Sequence, residues 1–142
     1  MKGRALAVDY GAKRTGLAIS DEMRIVATPL EAVVSTSLEE TVAGVVAVVA
    51  SMRVTTLVLG MPFLRSGLEG SQCANVRLFL SALRQKLPAG VEVVERDERF
   101  TTHEAEILLR PTGKRRKQLK SHIDSTAAVV LLRDYLAGSE FD

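Results

Sequence analysis

Ala5-Leu6-Ala7-Val8-Asp9-Tyr10-Gly11-Ala12-Lys13-Arg14-Thr15-Gly16-Leu17-Ala18-Ile19-Ser20 reads as two apolar strands joined by a tight basic turn with a glycine at each end. Along the first strand, about residues 4–9, Leu6 and Val8 share one face, and Ala5, Ala7 and Asp9 share the other. An aspartate closing an apolar strand goes against strand propensity, and such breaks in local consistency tend to mark function. The Gly11–Gly16 spacing superficially resembles a P-loop. It lacks the Gly-Lys-Ser/Thr ending and leads into a strand where a P-loop leads into a helix, so that reading is rejected.

Working outward, Ser20-Asp21-Glu22 predicts a second turn, followed by a third strand over Arg24–Thr28. Pro29 should end or interrupt this run, which suits an edge strand. The chain thus opens as a three-stranded antiparallel meander. Ser37-Leu38-Glu39-Glu40 has the spacing of a capping box, and Val42, Val45, Val46 and Val49 then fall on one face of a helix. Thr55–Leu59 is a short, continuous apolar run of the kind found in buried parallel strands. A loop with three glycines, Gly60–Gly70, leads to a helix over about 71–87 whose stripe is Val76, Phe79, Leu80, Leu83 and Leu87. Val91–Val94 predicts the last strand, and Thr101–Glu104 a second capping box opening a short helix through Leu109. A final helix from Ser121 should bury Ala127, Ala128, Leu131, Leu132 and Tyr135. Three strands followed by alternating strands and helices predict an α/β fold, one mixed sheet with the first strand central.

The 142 residues suit a single domain over 1–142, 46% hydrophobic and 25% charged. No apolar run approaches bilayer-spanning length, and Met1-Lys2-Gly3-Arg4 lacks a signal-peptide pattern, so a cytoplasmic protein with no membrane partner is expected. One cysteine and two histidines exclude an internal disulfide and a Cys- or His-rich metal cluster. Any metal should be a hard ion held by carboxylates. The net charge is only +2, but Lys114, Arg115, Arg116, Lys117 and Lys120 put five cations into seven residues. Such a stripe suits phosphate contact, or equally a solvated loop.

In open α/β sheets, functional groups gather beyond the carboxyl ends of the strands. Asp9, Glu98 and Asp124 have plausible reach to that edge. Three clustered carboxylates repel unless a cation holds them, and Mg²⁺ or Mn²⁺ is the usual solution. Each acid also has a plain structural reading. Asp9 could close its own turn, Glu98 could pair with Arg96 or Arg99, and Asp124 could cap its helix. Lys13 and Arg14, just after Asp9, suit phosphate contact or an ordinary surface turn. The glycines of Gly60–Gly70 could admit a sugar-phosphate backbone or serve geometry alone. His103 reads as a helix-surface residue and Cys73 as a packed thiol.

Four blocks in order carry a family resemblance: Val8–Gly16; Gly60-Met61-Pro62 with Gly67 and Gly70; Asp97-Glu98-Arg99-Phe100-Thr101-Thr102; and Asp124-Ser125-Thr126-Ala127-Ala128. Over nearly its whole length the chain resembles the YqgF/RuvX family, small bacterial proteins with an RNase H-like fold related to the RuvC resolvases. The resemblance implies a five-stranded mixed sheet flanked by helices, with Asp9, Glu98 and Asp124 as metal-binding catalytic acids. Asp9 would bridge two Mg²⁺ or Mn²⁺ ions. Lys13, Arg14, Arg99 and the Lys114–Lys120 stripe would contact nucleic acid. The role ascribed to the family is trimming the 5′ end of precursor 16S ribosomal RNA, with Holliday-junction cleavage also proposed for some members. Phe100 departs from the aliphatic residue many relatives carry there.

Three functional classes follow: a metal-dependent nuclease; a non-catalytic RNA- or ribosome-binding module; and an ATP-hydrolysing domain of the actin and sugar-kinase type. The last needs two such domains closing over the nucleotide, and this length supplies one. Monomer and two-fold dimer both remain open, the dimer matching a two-fold junction.

Overall fold

The computed structural model describes residues 3–98 and 125–138. A five-stranded sheet is built from β1 (Arg4–Asp9), β2 (Arg14–Ser20), β3 (Ala27–Val34), β4 (Val54–Met61) and β5 (Glu92–Asp97), in the order β3-β2-β1-β4-β5. β1 is central. It pairs antiparallel with β2 and parallel with β4, while β3 and β5 form the two edges. Helices α1 (Leu38–Ser51) and α2 (Ser71–Lys86) precede and follow β4, and α3 (Thr126–Gly138) closes the described chain. None of these helices is long and apolar enough to cross a membrane.

The alternation read in β1 divides the core into two layers. Leu6, Val8, Leu17, Leu57 and Leu59 pack against Val45 and Val49 of α1 and Phe79 and Leu83 of α2, with Cys73 buried among them. On the opposite face Ala5, Ala7, Ala18 and Val58 meet Ala128, Leu131, Leu132 and Leu136 of α3. Large side chains thus fill the two-helix side. Small ones let α3 lie close to the sheet, as dense packing requires. Ala127 and Tyr135, expected in the core, are only half-buried.

Ser37 caps α1, its hydroxyl accepting from the Glu40 N–H at 3.3 Å. The reciprocal half of the capping box is relayed through Ser35. Its hydroxyl donates to the Glu40 carboxylate at 2.7 Å and accepts from the Ser37 N–H at 3.0 Å. The third strand departs from expectation: it begins at Ala27 and runs through Pro29 to Val34. The turn closes at Asp21–Arg24, and residues 25–26 stay out of the strand because the Asp21 carboxylate accepts from the Ile25 and Val26 N–H groups at 2.7 and 2.8 Å. Pro29 is tolerated because β3 is an edge strand, where a missing N–H need break no ladder bond. Gly60 and Met61 also belong to strand β4, and β5 runs on to Asp97. The Thr101–Leu109 helix and the expected start of the last helix at Ser121 lie outside the described residues.

A register shift between Thr15 and Leu17 interrupts the β2–β3 ladder, and Ser125 fills the gap. Its buried hydroxyl accepts from the Leu17 N–H at 3.3 Å and donates to the Leu30 carbonyl at 2.7 Å. This ties the start of α3 to both strands. Ser125→Ala would leave the buried Leu17 N–H and the part-buried Leu30 carbonyl without this partner, and urea titration should show a loss of about 1–3 kcal/mol of unfolding free energy. An unchanged midpoint and slope would show that the hydroxyl carries no such tie.

Candidate active site

Asp9 ends the central strand, two residues beyond Ala7 on the α3 face. Glu98 lies just past β5, its N–H held by the Met61 carbonyl at 3.1 Å. Because β4 and β5 run parallel with Met61 opposite Asp97, the chain delivers Glu98 to the carboxyl edge where β1 also ends. There the Asp9 and Glu98 carboxyl groups hydrogen-bond to each other. Gly60 stands between them and α3. A β-carbon at this position would run into the Glu98 carboxylate and lie 3.2 Å from Leu131. The glycine that the sequence left open to a nucleic-acid backbone therefore makes room for a carboxylate of the chain itself.

Electrostatics follow from this crowding. Burial pushes the Asp9 carboxyl above its ordinary value, against the bond from Glu98, which favours its ionised form. Glu98 is pushed up to about 8, by burial first, then by the Asp9 charge and hydrogen bond, with a contribution from Asp97. Both shifts favour the protonated form, more strongly at Glu98, and the hydrogen bond between the two carboxyl groups favours Glu98 as its donor. A buried pair of hard oxygen donors holding one displaceable proton fits a divalent cation of the Mg²⁺ or Mn²⁺ kind. Among the described residues no third acid completes a cluster.

This pair has a consequence for stability. An acid whose folded-state value is raised favours the protonated, low-pH side. Its stabilisation is complete below the unfolded value and is lost as pH rises through the folded one. Metal-free protein should therefore melt at progressively lower temperature between about pH 5 and 8, with a divalent ion reversing the decline at the alkaline end. Thermal melts in EDTA and in Mg²⁺ across this range check it; a metal effect equal at pH 5 and pH 8 would contradict it.

Asp9 does not close its own turn, and Arg96 is not the partner of Glu98; Arg99 lies outside the described residues. The Asp9 turn is closed by Thr15, whose hydroxyl contacts the Gly11 carbonyl and N–H at 3.4 Å, while Arg96 is engaged by Asp134 at 2.9 Å. Lys13 is exposed on the turn after Asp9, and Arg14 is exposed at the first position of β2. Asp124, Arg99, Lys114, Arg115, Arg116, Lys117, Lys120 and His103 lie outside the described residues. Asp124 is, however, the neighbour of Ser125, which is pinned to Leu17, the residue after Gly16 opposite Asp9.

A cleft of about 580 Å³ opens beside the two carboxylates, walled in part by Tyr10, Thr36, Pro62, Gln72 and Asn75. Sequence reasoning missed Thr36, Gln72 and Asn75. The available signal was two amides three apart near the start of α2, a pattern that alone is indistinguishable from a solvated helix face.

The RuvX family model, described as a Holliday junction resolvase, matches residues 3–138. A candidate pre-16S rRNA nuclease from Sulfurihydrogenibium sp. is 35% identical over 133 residues, covering 94% of this chain and 89% of the relative. A protein of the same name from Agathobacter rectalis is 36% identical over 136 residues, covering 94% of each chain. Among solved structures, T. thermophilus RuvC in complex with a Holliday junction substrate superposes with a TM-score of 0.63 at 17% identity, covering 97% of this chain and 96% of that one. The fold is therefore that of the RuvC resolvases, the RNase H-like architecture the four blocks implied.

Proposed function

The chain belongs to the RuvX family, and from that premise we propose that it is a divalent-metal-dependent nuclease that processes the 5′ end of precursor 16S rRNA. The observation that carries this reading is the buried Asp9–Glu98 pair sharing a proton at the carboxyl edge of the sheet. Asp9 and Glu98 would hold the ion from the ends of β1 and β5. Asp124 would join them as the third acid, a placement supported by the anchoring of Ser125 beside β2. One or two Mg²⁺ or Mn²⁺ ions so held supply a Lewis acid for the phosphate oxygens and lower the pKa of a coordinated water. Lys13, Arg14, Arg99 and the Lys114–Lys120 stripe would attract and position the phosphate backbone.

In this reading residues 1–142 form one nuclease domain acting in the cytoplasm, with nucleic acid, and ribosomal particles carrying it, as partners. The second reading, a resolvase acting on branched DNA, is favoured by the family model's description and by the superposition on RuvC. It predicts a two-fold dimer to match its substrate.

The test is hydrolysis of a structured RNA carrying the 16S 5′ leader and of a four-way DNA junction, in Mg²⁺, Mn²⁺ or EDTA, with molecular mass measured in solution. RNA cleavage abolished by EDTA is expected. Cleavage of the junction alone, by a dimer, would replace the first reading with the second. Salt-sensitive binding without cleavage in any metal would mark a non-catalytic RNA-binding module.

A further inference from the structure

We propose that the cleft beside Asp9 and Glu98 is a nucleobase pocket, which holds the base of an unpaired nucleotide adjacent to the phosphate at the carboxylates. Gln72 and Asn75 would read the edge of that base. This rests on the nuclease reading and adds to it the class of strand that can enter: one whose base is unstacked.

The cleft's chemistry selects this ligand. At about 580 Å³ it lies within the ordinary range of small-molecule sites and has room for a base with its sugar. Away from the two carboxylates its described walls are uncharged: Tyr10, Pro62 and Val76 are apolar or aromatic, and Thr36, Gln72 and Asn75 are polar. The described walls carry no cationic side chain to pair with a phosphate. A heterocyclic base needs a flat apolar contact and a few donors and acceptors, which these residues provide. The Tyr10 ring is held in place by stacking on Phe79, with centroids 4.4 Å apart and planes 18° from parallel. A ring locked by its neighbour binds without losing further rotamer freedom.

Gln72 and Asn75 stand three residues apart near the start of α2, on one side of the helix. Neither amide bonds to another described residue, and both residues line the cleft, which leaves their donors and acceptors available to a ligand there. Side-chain amides match base edges because each offers one donor group and one acceptor in a plane. Within a duplex those edges are paired and the faces are stacked. A base can reach this cleft only from a loop, an end or a flipped position.

Anisotropy titrations compare a short single-stranded RNA with the same strand made abasic, in Ca²⁺, for the wild type and for Gln72→Ala/Asn75→Ala. Wild type should bind the intact strand roughly tenfold more tightly. The double variant should lose most of that preference. A 2-aminopurine base in the intact strand should be quenched on binding the wild type. Equal wild-type affinity for the two strands, or a preference untouched by the double substitution, would overturn the pocket. Cleavage with no base preference would sink the pocket alone, and base preference without cleavage would sink the nuclease reading alone.

Discussion

Asp9→Asn should lower RNA hydrolysis on the order of a thousandfold while making the metal-free protein more stable at pH 8. The two effects share one origin. Asp9 is buried beside Glu98, and its charge is among the causes that raise Glu98 to about 8. An amide of the same shape removes the buried charge and the repulsion together, so folding gains on the order of 1–3 kcal/mol, roughly 3 °C per kcal/mol for a chain of this size. The same amide is a poor partner for a hard cation, so the ion is held less tightly and transition-state stabilisation is lost. A residue kept for stability cannot show opposite signs in the two measurements. Single-turnover cleavage in Mg²⁺ and melts in EDTA at pH 8 read them separately. Retained cleavage would remove Asp9 from the catalytic set, and a lowered melting temperature would show that the carboxylate stabilises the fold.

Gly60→Ala should cost about a hundredfold in cleavage while changing unfolding free energy by only about 1 kcal/mol. The β-carbon would occupy the place of the Glu98 carboxylate and crowd Leu131. The end of a flexible side chain yields more cheaply than backbone, so Glu98 swings away and the strand survives. Restricting the unfolded chain further offsets part of the strain. Displacing a catalytic group by about 1 Å is enough for a hundredfold loss. Metal titration followed by thermal shift should show weakened binding in the same variant. Full activity in Gly60→Ala would mean that the position of Glu98 at Gly60 is not the one used in the reaction.

Local patterns were readable where one physical rule dominated. The period of two in β1 placed Leu6 and Val8 against Ala5, Ala7 and Asp9, and the structure divides its two core layers along that line. Ser37 signalled the start of α1 through its cap, overriding the strand preference of the valines that follow. Reading failed where a side chain from one segment set the conformation of another. Residues 25–26 stay out of the strand because Asp21 captures their two N–H groups, and β3 passes through Pro29 where no described strand pairs with its outer edge.

The amino-acid sequence by itself determined a mixed α/β sheet with β1 at its centre, and marked Asp9 as an acid out of place, because strand and helix periodicity are properties of neighbouring residues. Only the tertiary structure decided that Asp9 meets Glu98, that Gly60 makes room for the meeting, and that Gln72 and Asn75 face the same cleft. These residues come from β1, from the end of β4, from α2 and from the end of β5, far apart along the chain. Their proximity arises from parallel strand register and helix crossover, which no local pattern encodes.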